Sequence, residues 1–593
     1  MIRFLRSKFT QQESVNDYIG VLVPLVEAHL HSHSARCGKA EFEESRRSAD
    51  DVRANIDEDE ETALGTAFKN GDGEGDGMLQ MDAAEYTIEG LRRDVRKGEP
   101  GRRWTAYELK SKIINKAIQD IGMGRYNWQL FVLCGFGWFA DNLWMQGVSL
   151  TLPSLSEEFG VSEKQVRYTT SSLYIGLSIG SALWGLGADI MGRRIAFNLT
   201  LLITSIFGTL AASASSWPAV CVLFGVMGTG VGGNLPVDGA LFLEFLPDAS
   251  SSLLTLLSVW WPVGQLMSSL FAWYFITNWP ADRGWRLFVA AIGIVTFVMF
   301  LVRFALFHLF ESPKYLLSQG RQAEAVAVVH GIAYRNNKKT WLTEEVLDAV
   351  VDADDTERAP ARVSASGVLR QNLSSFSLSH IQPLFQTRKL GLATALIWFC
   401  WASIGMGYPL FNAFLPQYLS HGSDGGGGGG ASATPTTPAE TYREYAIISL
   451  AGVPGSLLAA YLVDHKSPFL GRKGTLAIST FASAVFLYLF AALGRAGAGA
   501  QLFFTSVEAF CQNIMYGVLY AFTPEIFPAP VRGAATGVAS FLNRVTGLLA
   551  PILAANIPGD GSTAPVYLSA ALILAAFAAM VLIPIETRGR QRL

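Results

Sequence analysis

Charge is scarce in this chain. Of 593 residues only 16% are Asp, Glu, Lys or Arg, while half are hydrophobic and 12% aromatic, a balance that excludes an ordinary water-soluble protein. Cysteine is scarcer still, at five. Cys134, Cys221, Cys400 and Cys511 fall inside apolar runs, where a packed, reduced thiol is expected, so no disulfide framework follows. There is no nucleotide-binding glycine loop, no nucleophile with a base and no set of metal ligands. An enzyme is therefore excluded, and neither a cofactor nor a metal is expected. His29, His31 and His33 alternate without a Cys or further ligand nearby and read as solvated tail. A net charge of -3, with basic residues scattered among loops, excludes a nucleic-acid partner. The apolar patch at residues 18–26 contains Pro24, lacks a clear cleavage site and precedes a long charged tail, so it does not read as a signal peptide.

What the chain has in quantity is apolar runs long enough to cross about 30 Å of hydrocarbon, which takes roughly 20 helical residues. About twelve are expected by that length rule, six within residues 128–310 and six within 390–584. The fold class is thus all-α integral membrane, with about twelve transmembrane helices in two pseudo-symmetric six-helix bundles. The expected organisation is a mostly disordered cytoplasmic tail (1–126), an N-terminal bundle (127–310), a cytoplasmic linker with short helices (311–388), a C-terminal bundle (389–586) and a cytoplasmic C-terminus (587–593). Within the tail, residues 105–119 predict an amphipathic helix on the membrane surface. The linker shows helical patterns at 322–330 and 344–352, and the Gly/Thr/Pro segment 421–441 reads as a low-complexity tether.

One charged signature occurs twice, between runs at equivalent places in the two halves. The first copy is Gly185, Leu186, Gly187, Ala188, Asp189, Ile190, Met191, Gly192, Arg193, Arg194; the second runs from Asp464 to Gly471, Arg472 and Lys473, with His465 to Leu470 as additional residues. A repeat of this kind indicates two bundles that move against each other, the architecture of a secondary transporter. Arg193, Arg194, Lys314, Arg321, Arg335, Lys338, Lys339, Arg472, Lys473, Arg532, Arg588 and Arg590 share one side with both termini, which makes that side cytoplasmic. Asp189, Arg193, Arg194, Glu244, Arg472, Glu525 and Arg532 are the candidate cytoplasmic gate. Surface pairs of about 0–1 kcal/mol suit a latch that opens in every cycle; the bland alternative is that these charges only set topology.

Charges inside the spans stand out because each costs about 2.5–3.5 kcal/mol on insertion scales. Asp141 lies halfway along the first span, Asp238 in the cytoplasmic half of the fourth, Glu508 in the tenth and Arg544 in the eleventh. Asp141 and then Glu508 are the proton-coupling candidates. Arg544 is placed to pair with either acid or with an anionic substrate, whereas Asp238 and Glu244 read as parts of the cytoplasmic network. An internal salt bridge that only holds helices in register is the competing reading for each. The polar and aromatic pool for a central cavity is Trp144, Gln146, Trp260, Trp261, Gln265, Asn412, Asn513, Tyr516 and Tyr520. Such a lining takes either a sugar or a small organic ion, although any one aromatic serves equally as packing or interfacial belt. In the fourth span, Gly228, Gly230, Gly232 and Gly233 cannot share one helix face, so they thin the helix on several sides.

The motifs together resemble the major facilitator superfamily, specifically its sugar-porter branch and the related synaptic-vesicle-2 and organic-ion transporters. Glu311, Ser312, Pro313, Lys314, Tyr315 and Leu316, then Gly320 and Arg321, are similar to the sugar-porter motif after span six; Pro524 to Pro528 with Val531, Arg532 and Gly533 to that after span ten; and Glu586 to Arg590 to that after span twelve. The resemblance covers roughly residues 127–590. It implies the twelve-helix fold, alternating access, and a first-span proton site at Asp141. The chain departs from it at Phe224, where many relatives carry an arginine, and in the seventh span, Gly405 to Pro409, which lacks the paired glutamines of hexose carriers. The implied function is transport of a small polar organic solute, sugar-like or ionic, with proton symport. A uniporter or organic-ion facilitator is one alternative, and a non-transporting nutrient receptor using its long tail is another. The expected partners are a small-molecule substrate, protons and the lipid bilayer. The expected form is a monomer, multi-pass, with the plasma membrane favoured over an internal one and both termini cytoplasmic.

Overall fold

The computed structural model describes residues 13–28, 86–96, 106–247, 252–351, 382–385, 387–420, 438–463, 471–493, 498–527, 529–557 and 563–585. The histidines at 29, 31 and 33, most of the tail, the low-complexity segment up to residue 437, the second signature before Gly471 and the motif ending at Arg590 lie outside them. The described chain is helical, with one isolated β-bridge, Leu22 to Thr340. It divides into two units, one of residues 1–128, 244–250 and 313–362, the other of 129–243, 251–312 and 363–593.

The first unit contains α1 (Ile88–Arg96) and α2 (Ala106–Ile121), and the chain enters α3 (Arg125–Phe159) from it. Its linker helices, which follow the spans of the first half, are Pro313–Ser318, Gln322–Arg335 and Glu344–Ala349. The helix expected at 105–119 forms, but its apolar face is not left for lipid. Leu109, Ile113, Ile114, Ala117 and Ile118 are buried and pack on the linker helices, whose Val326, Val328, Val329 and Ile332 are buried in turn. Amphipathicity alone does not distinguish a lipid surface from a helical partner. Polar contacts seal the unit: Lys110 Nζ lies 2.6 Å from Asp348 Oδ1 and 2.6 Å from Gln322 Oε1, and the Trp341 indole donates to Asp120 at 2.6 Å. Burial holds the His330 imidazole below its ordinary pKa, while one ring nitrogen meets the Leu342 carbonyl at 2.7 Å.

The second unit is the membrane part. The remaining spans of the first half are α4 (Tyr168–Met191), α5 (Arg193–Ala211), α6 (Trp217–Phe245), α7 (Trp260–Asn278) and α8 (Ala281–Leu301). With the linker helices as α9 to α11, the second half supplies α12 (Arg388–Asn412), α13 (Pro438–Val463), α14 (Arg472–Leu493), α15 (Ala498–Ile526), α16 (Ala529–Asn556) and α17 (Ala564–Leu582). Among the described residues nine helices are long and apolar enough to cross a membrane; α3, α4 and α15, of 35, 24 and 29 residues, bring the spans to twelve. α3 has 35 residues, about 52 Å at 1.5 Å per residue, and exceeds the hydrocarbon thickness. Cys134, Cys221, Cys400 and Cys511 are unbridged thiols.

Close backbone approach sets the packing of the first half. A Cβ on Gly228 would lie 2.7 Å from the Leu173 carbonyl oxygen, and one on Gly232 2.2 Å from that of Leu177, both on α4. Gly230 faces the other way, with its Cβ position 2.5 Å from Thr204 Oγ1 on α5. The alternating glycines of α6 thus serve two neighbours, as small residues do where lipid offers no hydrophobic drive between helices.

Candidate substrate site

Within the second unit a cavity with about 830 Å³ of empty space opens between the halves. The first half lines it with Asp141, Asn142 and Met145 of α3, Tyr174 and Leu177 of α4, Leu235 of α6 and Trp261 and Gln265 of α7. The second half adds Gly405, Tyr408 and Pro409 of α12, Gln512, Asn513, Tyr516 and Tyr520 of α15, and Asn543 and Arg544 of α16. α15 presents Gln512, Tyr516 and Tyr520 at four-residue spacing, so one helix stripe supplies three residues to one wall of the site.

Asp141 is buried, and its Oδ1 accepts a hydrogen bond from the Asn234 amide at 3.1 Å. Asn234 belongs to the glycine-rich run of α6, so the thin part of that helix brings an amide donor to the first-span acid. Phe224, where an arginine is usual among the resembled proteins, is fully buried in the core. Arg544 faces the same cavity as Asp141 and its charge acts on that carboxylate. The ring wall is continuous: Trp261 lies 4.9 Å from Tyr520 and 6.1 Å from Tyr516 between centroids, and Tyr408 lies 5.4 Å from Tyr516.

Five of the residues read from sequence as site candidates do not line the cavity. Trp144 is buried away from the cavity, where its indole donates to Thr296 Oγ1 at 2.9 Å and its ring fills the space beside Gly208. Gln146 lies one layer behind the wall, donating to the Tyr408 hydroxyl at 3.0 Å and accepting from the Tyr445 hydroxyl. Asn412 donates to Gln512 Oε1 at 3.1 Å and so supports a wall residue. Glu508 is buried with Ser483 donating to it at 3.1 Å, one helical turn from Gln512 but outside the cavity. Trp260 also turns away, against Gly135. Trp261, Gln265, Asn513, Tyr516, Tyr520 and Arg544 do converge there. The sequence reading missed Tyr174, Tyr408, Gln512 and Asn543.

The candidate gate residues separate into small groups. Arg472 and Glu525 form an ion pair within the second half. Glu311, the acid of the motif after span six, caps the start of α5: its Oε1 accepts from the backbone N–H groups of Arg193 at 2.9 Å and Arg194 at 3.2 Å. Burial pushes the Glu311 carboxyl above its ordinary pKa, against the opposing pull of the Ser312, Arg194 and Arg193 N–H groups and the Arg194 charge. The side chains of Asp189 and Arg532 lie outside the described residues, and Glu244 belongs to the first unit.

Asp238 is not a member of that surface network. It pairs with Arg303 of the π-helical turn that follows α8 (Val302–Leu306), at 2.6 Å and with both side chains fully buried. Arg303 also donates to the carbonyls of Leu133 and Phe197, at 2.9 Å each, and its guanidinium lies 3.7 Å over the Phe197 ring. No sequence motif announced Arg303; its signal was a lone arginine near the end of an apolar run.

At the opposite end of the second unit from these motif loops, Arg167 joins the halves. It donates to Gln417 Oε1 at 3.1 Å and to the Ala554 carbonyl at 2.7 Å, and lies 5.1 Å over the Phe414 ring. Tyr442 adds a bond to the Leu150 carbonyl at 3.0 Å.

Two halves of six spans around a central polar cavity define a membrane transporter and not an enzyme. The chain belongs to the Major Facilitator Superfamily, whose family model matches residues 130–470. It is 40% identical to MFS siderochrome iron transporter 1 of Ceriporiopsis subvermispora, over 87% of this chain and 99% of that one. It is also 40% identical to the major facilitator-type transporter hxnZ of Emericella nidulans, over 82% and 88%. A rat synaptic vesicle 2-related protein is 29% identical over 81% and 82%. In fold the chain is similar to the xylose transporter XylE of E. coli in a partially occluded inward-open conformation, with a TM-score of 0.58 and 16% identity over 78% of this chain and 99% of that one.

Proposed function

We propose that this transporter moves a small polar organic solute by alternating access, in symport with a proton that Asp141 carries. The observation behind this reading is the cavity itself, in which an intramembrane carboxylate, held from behind by the Asn234 amide, and an arginine face one space between the halves. Ionisable groups at membrane depth mark ion and proton paths, and a carboxyl beside the solute can exchange its proton as access alternates. Among the relatives, one is named for a siderochrome and another, 27% identical, for organic cations and carnitine; both names fit an organic solute larger than an inorganic ion. The solved XylE structures include one titled as a proton:xylose symporter.

In this reading Arg167 with Gln417 and Ala554 closes the external mouth. The ion pair of Arg472 with Glu525, together with the Glu311 cap on α5, stiffens the cytoplasmic mouth. Asp189, Arg193, Arg194, Glu244 and Arg532 remain candidates for the same gate, and Glu508 for a second proton site. The tail and linker lie in the cytosol and the carrier works as a monomer in the plasma membrane.

The test is uptake into liposomes holding the purified chain, with labelled sugars, polyols and small carboxylates, with and without an inward proton gradient, beside Asp141→Asn. Gradient-driven accumulation that the variant loses supports symport through Asp141. Equal, gradient-insensitive flux in both proteins removes Asp141 and leaves a facilitator. Saturable binding with no flux selects the receptor reading.

A further inference from the structure

The spans of this chain hold several arginines, and the described residues satisfy all of the deeply placed ones but one. Arg303 has a carboxylate, two carbonyls and a ring face. Arg167 has an amide oxygen, a carbonyl and a ring face. Arg286, at the end of the first half, has Glu158 at 2.6 Å and the carbonyls of Ala212 and Ala214. Arg544 has neither a hydrogen bond nor an ion pair among the described residues, and it is the arginine that lines the cavity. It stands fifteen residues into the 28-residue helix α16, about 22 Å along it, where an unmatched charge is expensive. Asp141 faces it from the first half and attracts it, but the two make no ion pair.

A guanidinium offers five N–H donors in a planar fork and no acceptor, a shape that fits a carboxylate with two parallel bonds. The same cavity is lined by the rings of Tyr174, Trp261, Tyr516 and Tyr520, with Gln512 and Asn543 as amides. We propose that the solute is a small organic anion, its carboxylate held by the Arg544 fork and its body laid against the Trp261, Tyr516 and Tyr520 rings. This rests on the transport reading for its physiological meaning, but the binding site stands on the cavity alone. A neutral sugar would leave the guanidinium unmatched, and a cation would meet it as a like charge.

The test uses three probes of nearly one shape, benzoate, benzamide and benzylammonium, titrated against the full chain in nanodiscs by calorimetry, with the difference in tryptophan fluorescence between the parent and Trp261→Phe as a second readout. Benzoate is expected to bind about 10- to 100-fold more tightly than benzamide, the range for a charge-assisted bidentate bond, and benzylammonium more weakly than either. Arg544→Gln should bring benzoate down to the benzamide level and leave benzamide unchanged; Arg544→Lys should restore part of the difference. Benzamide binding as tightly as benzoate overturns the proposal, as does benzoate affinity unmoved in a folded Arg544→Gln protein, or no benzoate binding at all. Failure of the transport reading is separate: carboxylate binding with no flux in liposomes leaves the site and removes the carrier. Proton-driven uptake of neutral sugars with carboxylates excluded leaves the carrier and removes the anion.

Discussion

Breaking the Asp238–Arg303 pair should destabilise the membrane part more than any other single substitution named here. Both side chains are fully buried, and Arg303 binds the α6 carboxylate at 2.6 Å, two carbonyls at 2.9 Å and the Phe197 ring at 3.7 Å. Arg303→Met keeps most of the stem volume but strands the carboxylate, and removing one partner of a buried pair costs about 3–5 kcal/mol. Asp238→Leu strands the guanidinium, whose two carbonyl bonds and ring contact remain, so its cost should sit at the lower end of that range. The double variant removes both charges together, and a hydrophobic replacement of a buried pair is often neutral. It should return to within about 1 kcal/mol of the parent, leaving a coupling well outside the roughly 0.5 kcal/mol of independent sites. Equilibrium unfolding in mixed detergent micelles, followed by tryptophan fluorescence, measures all four proteins. An Arg303→Met cost below about 1 kcal/mol, or a double variant no better than the worse single, would refute the reasoning.

Further expectations concern packing, capping and closure. Gly137→Ala puts a Cβ 1.7 Å from Asp238 Oδ2, so the pair must move; a loss of about 1–3 kcal/mol is expected, and unfolding midpoints check it. Glu311 has a folded-state pKa raised by burial. It therefore binds protons more tightly in the folded chain, and its contribution is fully present below the ordinary 4.5 and lost as pH rises through the raised value. Glu311→Gln should flatten that portion of the stability profile in paired unfolding curves from acid to neutral pH. Arg167→Ala removes the bonds to Gln417 and Ala554; a cysteine placed near that end should then label faster with a water-soluble maleimide, and an unchanged rate counts against a latch. Reversing both charges, Arg472→Glu with Glu525→Arg, should restore uptake that either single reversal reduces.

Much of the fold could be read because apolar length is a strong signal in a membrane chain. α3 and α15, which carry Asp141 and Glu508, were legible for the same reason, since their charges are few and far apart. Helix rotation was harder. α3 mixes polar and apolar residues around its whole circumference, so its composition carries no phase; Asp141 supplies one, and residues one and four positions on, Asn142 and Met145, share its cavity face. Trp144, three positions on, turns into the gap that Gly208 leaves. Gln512, Tyr516 and Tyr520 carried a four-residue period that would have found Gln512. Arg303 had no period and no motif, and its partner Asp238 lies 65 residues away, a pairing no local pattern encodes. The tail helix was found by its amphipathic spacing, but the partner that covers it comes from the linker, which the spacing does not name.

The first unit draws on distant parts of the chain. Thr340 exchanges backbone hydrogen bonds with Val21 and Val23, and Lys339 reaches the Gly20 carbonyl across 319 positions. Six spans must leave the ribosome before this early segment can meet its partner, a delay of roughly 15–60 s at 5–20 residues per second. Until then its valines have no native cover. The segment thus makes the emergence of span six a checkpoint in biogenesis, and a chain truncated before residue 340 should present the start of the protein to chaperones and proteases while its first helices are already in the bilayer.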